Sequence, residues 1–124
     1  MVEPAGLGRA RQELEASRLL ADGGFNPQAV SRACFATFYA AETALAEVGE
    51  TRSKHSGVVA AFVQRCVRDE GANTQAGRLL RSLFDRRAQA DYGVTTVPPE
   101  EAERAVRDAT FVVDAIAAWL KERA

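Results

Sequence analysis

A chain of 124 residues, 47% of them apolar and with a formal net charge of −1, is the size of one ordinary domain and can bury one compact core. No apolar run approaches the ~20 residues that span a bilayer, and the start lacks a basic-then-apolar signal pattern, so no membrane span and a cytoplasmic location are expected. A near-zero net charge also means that bulk electrostatics does not mark a nucleic-acid binder.

Helical periodicity runs through the chain and strand-like alternation is missing. The first helix is expected from about Leu7 to Asp22 and stops at Gly23-Gly24, because glycine readily takes the left-handed stop conformation. Asn26-Pro27 then reads as a cap followed by proline in the first helical position. The second helix is expected to continue to about Val48 and end at Gly49. It is apolar on two sides: Val30, Cys34, Phe38, Ala41, Leu45 and Val48 form one stripe, Phe35 and Tyr39 another. Such a helix belongs at the centre of a bundle or partly in a subunit interface, and this predicts a homodimer. Ala33, Ala36, Ala40 and Ala41 let neighbouring helices come close.

A third helix starts near Ser53, a plausible cap, and carries Val58, Val59, Phe62, Val63, Cys66 and Val67 before Asp69-Glu70-Gly71-Ala72-Asn73 breaks it. Thr74 is the expected cap of the fourth, in which Leu80, Phe84, Arg87 and Asp91 share a stripe up to Gly93. Pro98, Pro99, Glu100 and Glu101 suit the first turn of a last helix, whose core stripe is Ala102, Val106, Ala109, Val113, Ile116 and Leu120. Short connections between helices of this length imply an all-α, up-and-down antiparallel bundle, and residues 1–124 read as one domain.

Cys34 and Cys66 lie far apart inside apolar stretches, where a thiol acts as a small hydrophobe. There is no P-loop, no dinucleotide-binding glycine pattern and no paired metal-ligand motif, so neither a cofactor nor a metal is expected. Charge is unevenly placed: residues 52–87 hold eight basic side chains against three acidic ones.

Two segments carry the candidate chemistry. Arg87 and Asp91 extend a core-facing stripe, where charge is costly unless paired, so they are expected to bond each other or a near neighbour. Either they lock the packing, or Arg86, Arg87, Asp91 and Tyr92 form the lip of a cleft in which a guanidinium holds phosphate. In Ser53-Lys54-His55-Ser56-Gly57, Lys54 and His55 stand at a helix start, where anions are favoured and an imidazole can move protons near neutral pH. On the second helix Arg32, Phe35, Tyr39 and Glu42 share a face that fits either the same cleft or a polar network of a central helix.

The run from Asn26 to Ala41 resembles the A-V-S-R-A-Y-Y-A-x-F-x-A-A helix of the HEPN superfamily (higher eukaryotes and prokaryotes nucleotide-binding). Lys54-His55-Ser56-Gly57 and Arg87-Ala88-Gln89-Ala90-Asp91-Tyr92 resemble the K-H-S-G and R-x-x-A-D-Y signatures of a small stand-alone prokaryotic branch, and the resemblance covers about Ala10 to Leu120. It implies a bundle of four to five helices that dimerises. It also implies a toxin encoded beside a small nucleotidyltransferase that neutralises it, and a metal-independent ribonuclease that uses an R-x4-H motif. Arg87 matches the motif arginine, with Tyr92 at the histidine position; in the alternative register Arg86 and Asp91 take these places. The motif histidine is absent in both, and a tyrosine of reference pKa about 10 is a poor proton shuttle at neutral pH. On this basis Arg87, Tyr92, Asp91 and His55 are the candidate catalytic residues, and Arg86, Lys54, Arg32 and Tyr39 the candidate contacts to RNA or nucleotide. The alternative is a non-catalytic HEPN dimer that binds a nucleotide or a nucleotidyltransferase partner.

Overall fold

The computed structural model describes residues 3–51, 55–93 and 96–124, and of His55 and Ser56 only the backbone. The elements are α1 (Ala5–Asp22), α2 (Asn26–Glu47), α3 (His55–Ala61) continuing as a π-helical run (Phe62–Arg68), α4 (Thr74–Tyr92) and α5 (Pro99–Arg123). No strand occurs among the described residues, and the all-α bundle that the periodicity predicts is the fold. None of these helices is long and apolar enough to cross a membrane.

α2 is central: it packs on α1, α4 and α5 and meets α3 and the π-helical run. Its alanines explain how. Ala33, Ala36, Ala40 and Ala41 are completely covered, so the neighbouring helices rest on methyl groups. One continuous core joins Leu7 and Leu14 of α1, Val30, Phe38 and Leu45 of α2, Leu80 and Leu83 of α4, and Val112, Val113 and Ile116 of α5. Burying each of the larger side chains contributes about 1.5–3 kcal/mol. Phe38 is met edge-on by Phe35, with centroids 6.3 Å apart, and by Phe84 at 5.9 Å.

The helix ends follow local chemistry. Gly24, at φ +83°, supplies the left-handed residue of the first turn. Gly93 follows the last residue of α4, and a Cβ at that position would run into the Gln89 carbonyl oxygen. Two expected caps differ from the structure. Asn73, not Thr74, caps α4: its Oδ1 accepts the Ala76 N–H at 2.9 Å, one residue earlier than the sequence suggests. Asn26 does not cap α2 either; its Nδ2 donates to the Val97 carbonyl at 3.0 Å and pins the strand-free segment before α5 to the start of α2. The expected cap Ser53 lies outside the described residues.

The π-helical run was not visible in the apolar spacing. It is closed by the Asp69 N–H donating to Gln64 O at 3.2 Å, five residues back. The turn after it is tied down from α5, where Trp119 Nε1 donates to Glu70 O at 3.0 Å and Arg123 pairs with Glu70.

Candidate functional site

The α4 stripe passes from core to surface along its length. Leu80 is buried, Phe84 half-buried, and Arg87 and Asp91 follow at the bundle's edge. Arg87 Nε stands 3.2 Å from Asp91 Oδ2, one turn on. The Nε–H is not aimed at that oxygen, so the two form an ion pair without a hydrogen bond, and Nε is buried without an acceptor among the described residues. The Arg87 guanidinium lies instead over the Phe35 ring, 4.7 Å from its centroid.

Phe35 holds a second cation. Arg32, one turn back on α2, lies 4.6 Å from the same centroid. Its Nη1 is held by Glu13 of α1, at 3.1 Å from Oε2 and 3.3 Å from Oε1. Two guanidinium groups thus share one ring, each paired to a carboxylate, and this balance of charge offsets their mutual repulsion. The second apolar stripe of α2 is accordingly roofed by arginines: Arg9 of α1 lies over Tyr39, 4.8 Å from its centroid. Beside this cluster a groove of about 410 Å³ opens between the end of α1, the start of α2 and the end of α4; Ser31, Arg32, Ala90 and Asp91 are among its walls.

The arrangement can hold an anion. A guanidinium that is half-buried, over a ring and short of hydrogen-bond acceptors presents N–H donors to an arriving phosphate oxygen. Cys34 lies behind the site but is no nucleophile. Burial pushes its thiol up to about 12, against the pull of Arg87, while Asp91 raises it further. Cys66 is also buried, with its thiol pushed to about 11 by the same cause, and both cysteines are free.

The sequence-predicted site residues fall into three groups. Arg87, Asp91 and Arg32 come together around Phe35 and the groove. Arg86 points elsewhere, donating from Nη1 to Asp108 Oδ2 of α5 at 2.9 Å and to Ser82 Oγ at 3.1 Å. Tyr92 is 82% exposed at the end of α4, and Tyr39 sits under Arg9. His55 opens α3, which packs against α2 and α4, but its side chain, like all of Lys54, lies outside the described residues.

Glu13 and Asp108 were missed. A signal existed for Glu13, which shares the buried face of α1 with Ala10, Leu14 and Ser17 and is only 7% exposed. A carboxylate on a core-facing stripe calls for a cation from another helix. Asp108 sits among the alternating charges of α5 and gave no such sign.

Comparison with known proteins agrees with this architecture. The HEPN domain family matches residues 5–121. A Thermotoga maritima protein named "UPF0332 protein" is 34% identical over 109 residues, 87% of this chain and 83% of that one. A Methanocaldococcus jannaschii protein named "Putative toxin" is 31% identical over 113 residues, 91% of this chain and 84% of its own. A Gloeobacter violaceus "UPF0332 protein" is 32% identical over 87 residues, or 70% and 69% of the two chains. The match extends from the first turn of α1 to the last turns of α5, and the chain belongs to the HEPN domain family.

Proposed function

We propose that this protein is the toxin-type member of a toxin–antitoxin pair, acting on RNA as a homodimer and neutralised by a small nucleotidyltransferase. The observation that carries the reading is Arg87: half-buried, ion-paired to Asp91 without a hydrogen bond, and sharing the Phe35 ring with Arg32. Family membership and the toxin name borne by relatives support it. In this account a backbone phosphate of RNA enters the groove, displaces Asp91 and is gripped by Arg87, with Arg32 as the second cation. Where cleavage follows, Arg87 stabilises the charge that develops on the phosphate. The proton is moved by His55 of α3, or less well by Tyr92 or Asp91 at the motif's histidine position. Lys54 and Tyr39 keep their roles as contacts to RNA or nucleotide in this proposal, whereas Arg86 is given the task of holding α4 to α5 through Asp108.

A second reading has an observation of its own. The side chain at the motif's histidine position is an exposed Tyr92, or in the other register an Asp91 tied to Arg87. A site of that kind binds a nucleotide, RNA or a nucleotidyltransferase without cutting anything.

Incubating purified protein with tRNA and mRNA beside an Arg87→Ala control separates the two. Fragments that vanish in the control support the ribonuclease. No cleavage, with calorimetric heat on titrating ATP or short RNA, supports the binding module. Neither cleavage nor binding, or equal cleavage by both proteins, sinks the Arg87 account.

A further inference from the structure

A second groove, of about 470 Å³, runs between the π-helical segment and α4, and shares no lining residue with the groove beside Arg87. Its floor is aliphatic: Val63 and Val67 face Gly77, whose missing side chain leaves both valines within ordinary contact of where a Cβ would stand. Its rim carries Arg68, Arg78, Arg81 and Thr74. All four rim residues are exposed.

Among the described residues most other arginines are paired, and outside this rim only Arg9, Arg104 and Arg107 lack a carboxylate partner. Arg11, Arg18, Arg32, Arg65, Arg86, Arg87 and Arg123 each have a carboxylate partner. Arg68, Arg78 and Arg81 have neither an ion pair nor a hydrogen bond among the described residues. The acids near them do not neutralise the rim. Asp69 is taken by Arg65 and Glu70 by Arg123, and Asp85, one turn beyond Arg81, is not paired with it. The result is an apolar trough edged by three uncommitted positive charges.

From this charge and shape we propose that the groove docks an acidic, amphipathic helical segment of a partner protein. Apolar side chains of that segment fill the trough over Val63, Val67 and Gly77, and its carboxylates reach the three guanidinium groups. A nucleic acid fits less well. The floor offers no aromatic ring on which a base can stack, and a phosphate backbone has nothing apolar to place there. The proposal stands apart from the Arg87 reading, since it concerns another face of the molecule.

The test uses the full chain, isotope-labelled on amides and valine methyls. The probe is a synthetic helical peptide of about four turns, with leucines along one face and flanking glutamates. Its controls carry glutamine for every glutamate, or serine for every leucine, and a single-stranded RNA is titrated in parallel. The acidic amphipathic peptide is expected to shift the Gly77 amide and the Val63 and Val67 methyls. Affinity should fall on the order of tenfold for either control peptide, and likewise for the protein carrying Arg78→Glu with Arg81→Glu. Both substitutions are on exposed side chains, and the wild-type titrations with the control peptides stand without them. Absence of these shifts, an equal response to either control peptide, or RNA moving the same resonances as strongly would overturn the proposal.

Discussion

The Arg87 guanidinium stands over the ring of Phe35, 4.7 Å from its centroid, and this contact joins the end of α4 to the central helix. It leaves Asp91 as the charge partner of Arg87, which in the proposed account an RNA phosphate displaces. Replacing Asp91 with asparagine removes that competitor while keeping its size. Asp91→Asn is therefore expected to tighten RNA binding by a few-fold, up to about tenfold, the effect of one charge near a partly screened surface. Unchanged or weaker binding in a titration followed by fluorescence anisotropy would mean that Asp91 does not compete for Arg87.

Arg86 and Arg87 are adjacent in sequence yet serve different neighbours. Arg86 clamps α4 to α5 through Asp108, its side chain only 17% exposed. Its Nε and Nη2 are buried without an acceptor among the described residues. Arg86→Ala should cost about 2 kcal/mol in urea-induced unfolding, because it leaves Asp108 without its cation. RNA affinity should stay within about twofold, whereas Arg87→Ala should show the opposite pattern. Loss of RNA binding in folded Arg86→Ala would move the motif to the other register.

Glu13 anchors Arg32 from a nearly buried position on α1. Arg32 itself is 40% exposed, so solvent screens the pair and its contribution is discounted. Glu13→Gln should lower stability by about 1 kcal/mol, and a double-mutant cycle with Arg32→Ala should recover most of that as coupling. Additive costs in the cycle would show that the two residues do not work as a pair.

Burial of Cys34 makes stability depend on pH on the alkaline side. Its thiol is pushed from 9.0 to about 12 in the fold, so above about pH 9 the unfolded chain loses a proton that the folded chain keeps. Fewer protons bound to the unfolded state mean that stability falls as pH rises through this window. The loss is at most about 1.4 kcal/mol per pH unit for one thiol. Cys34→Ala should therefore flatten the fall between about pH 9 and 10.5 in urea midpoints, relative to wild type. Parallel curves for the two proteins would contradict this.

The stripes of α2 and α5 could be read directly, because apolar residues at helical spacing have one economical use: the residues named on them are buried, except that Val48, just past the end of α2, and Phe35 and Tyr39 of its second stripe are half-buried. The pairing of Arg87 with Asp91 was also legible, being local to one helix. Other features have no local signature. The π-helical run keeps Phe62 and Cys66 four apart, as an α-helix does, so the slipped hydrogen bond leaves no trace in the apolar pattern. Asn73 and Thr74 are neighbours and both can cap; only the backbone conformation chooses between them. Arg32 and Arg87 meet on Phe35 because two helices are placed side by side, and no spacing in one helix records the register of another.

The account rests on Arg87 gripping a phosphate. Fluorescence anisotropy with an end-labelled single-stranded RNA, repeated over a series of salt concentrations, tests this most directly. Arg87→Ala is expected to weaken binding on the order of tenfold and to reduce the slope of log affinity against log salt by about one, the signature of one lost phosphate contact. Arg87→Ala that stays folded and binds with the affinity and salt slope of wild type would contradict it.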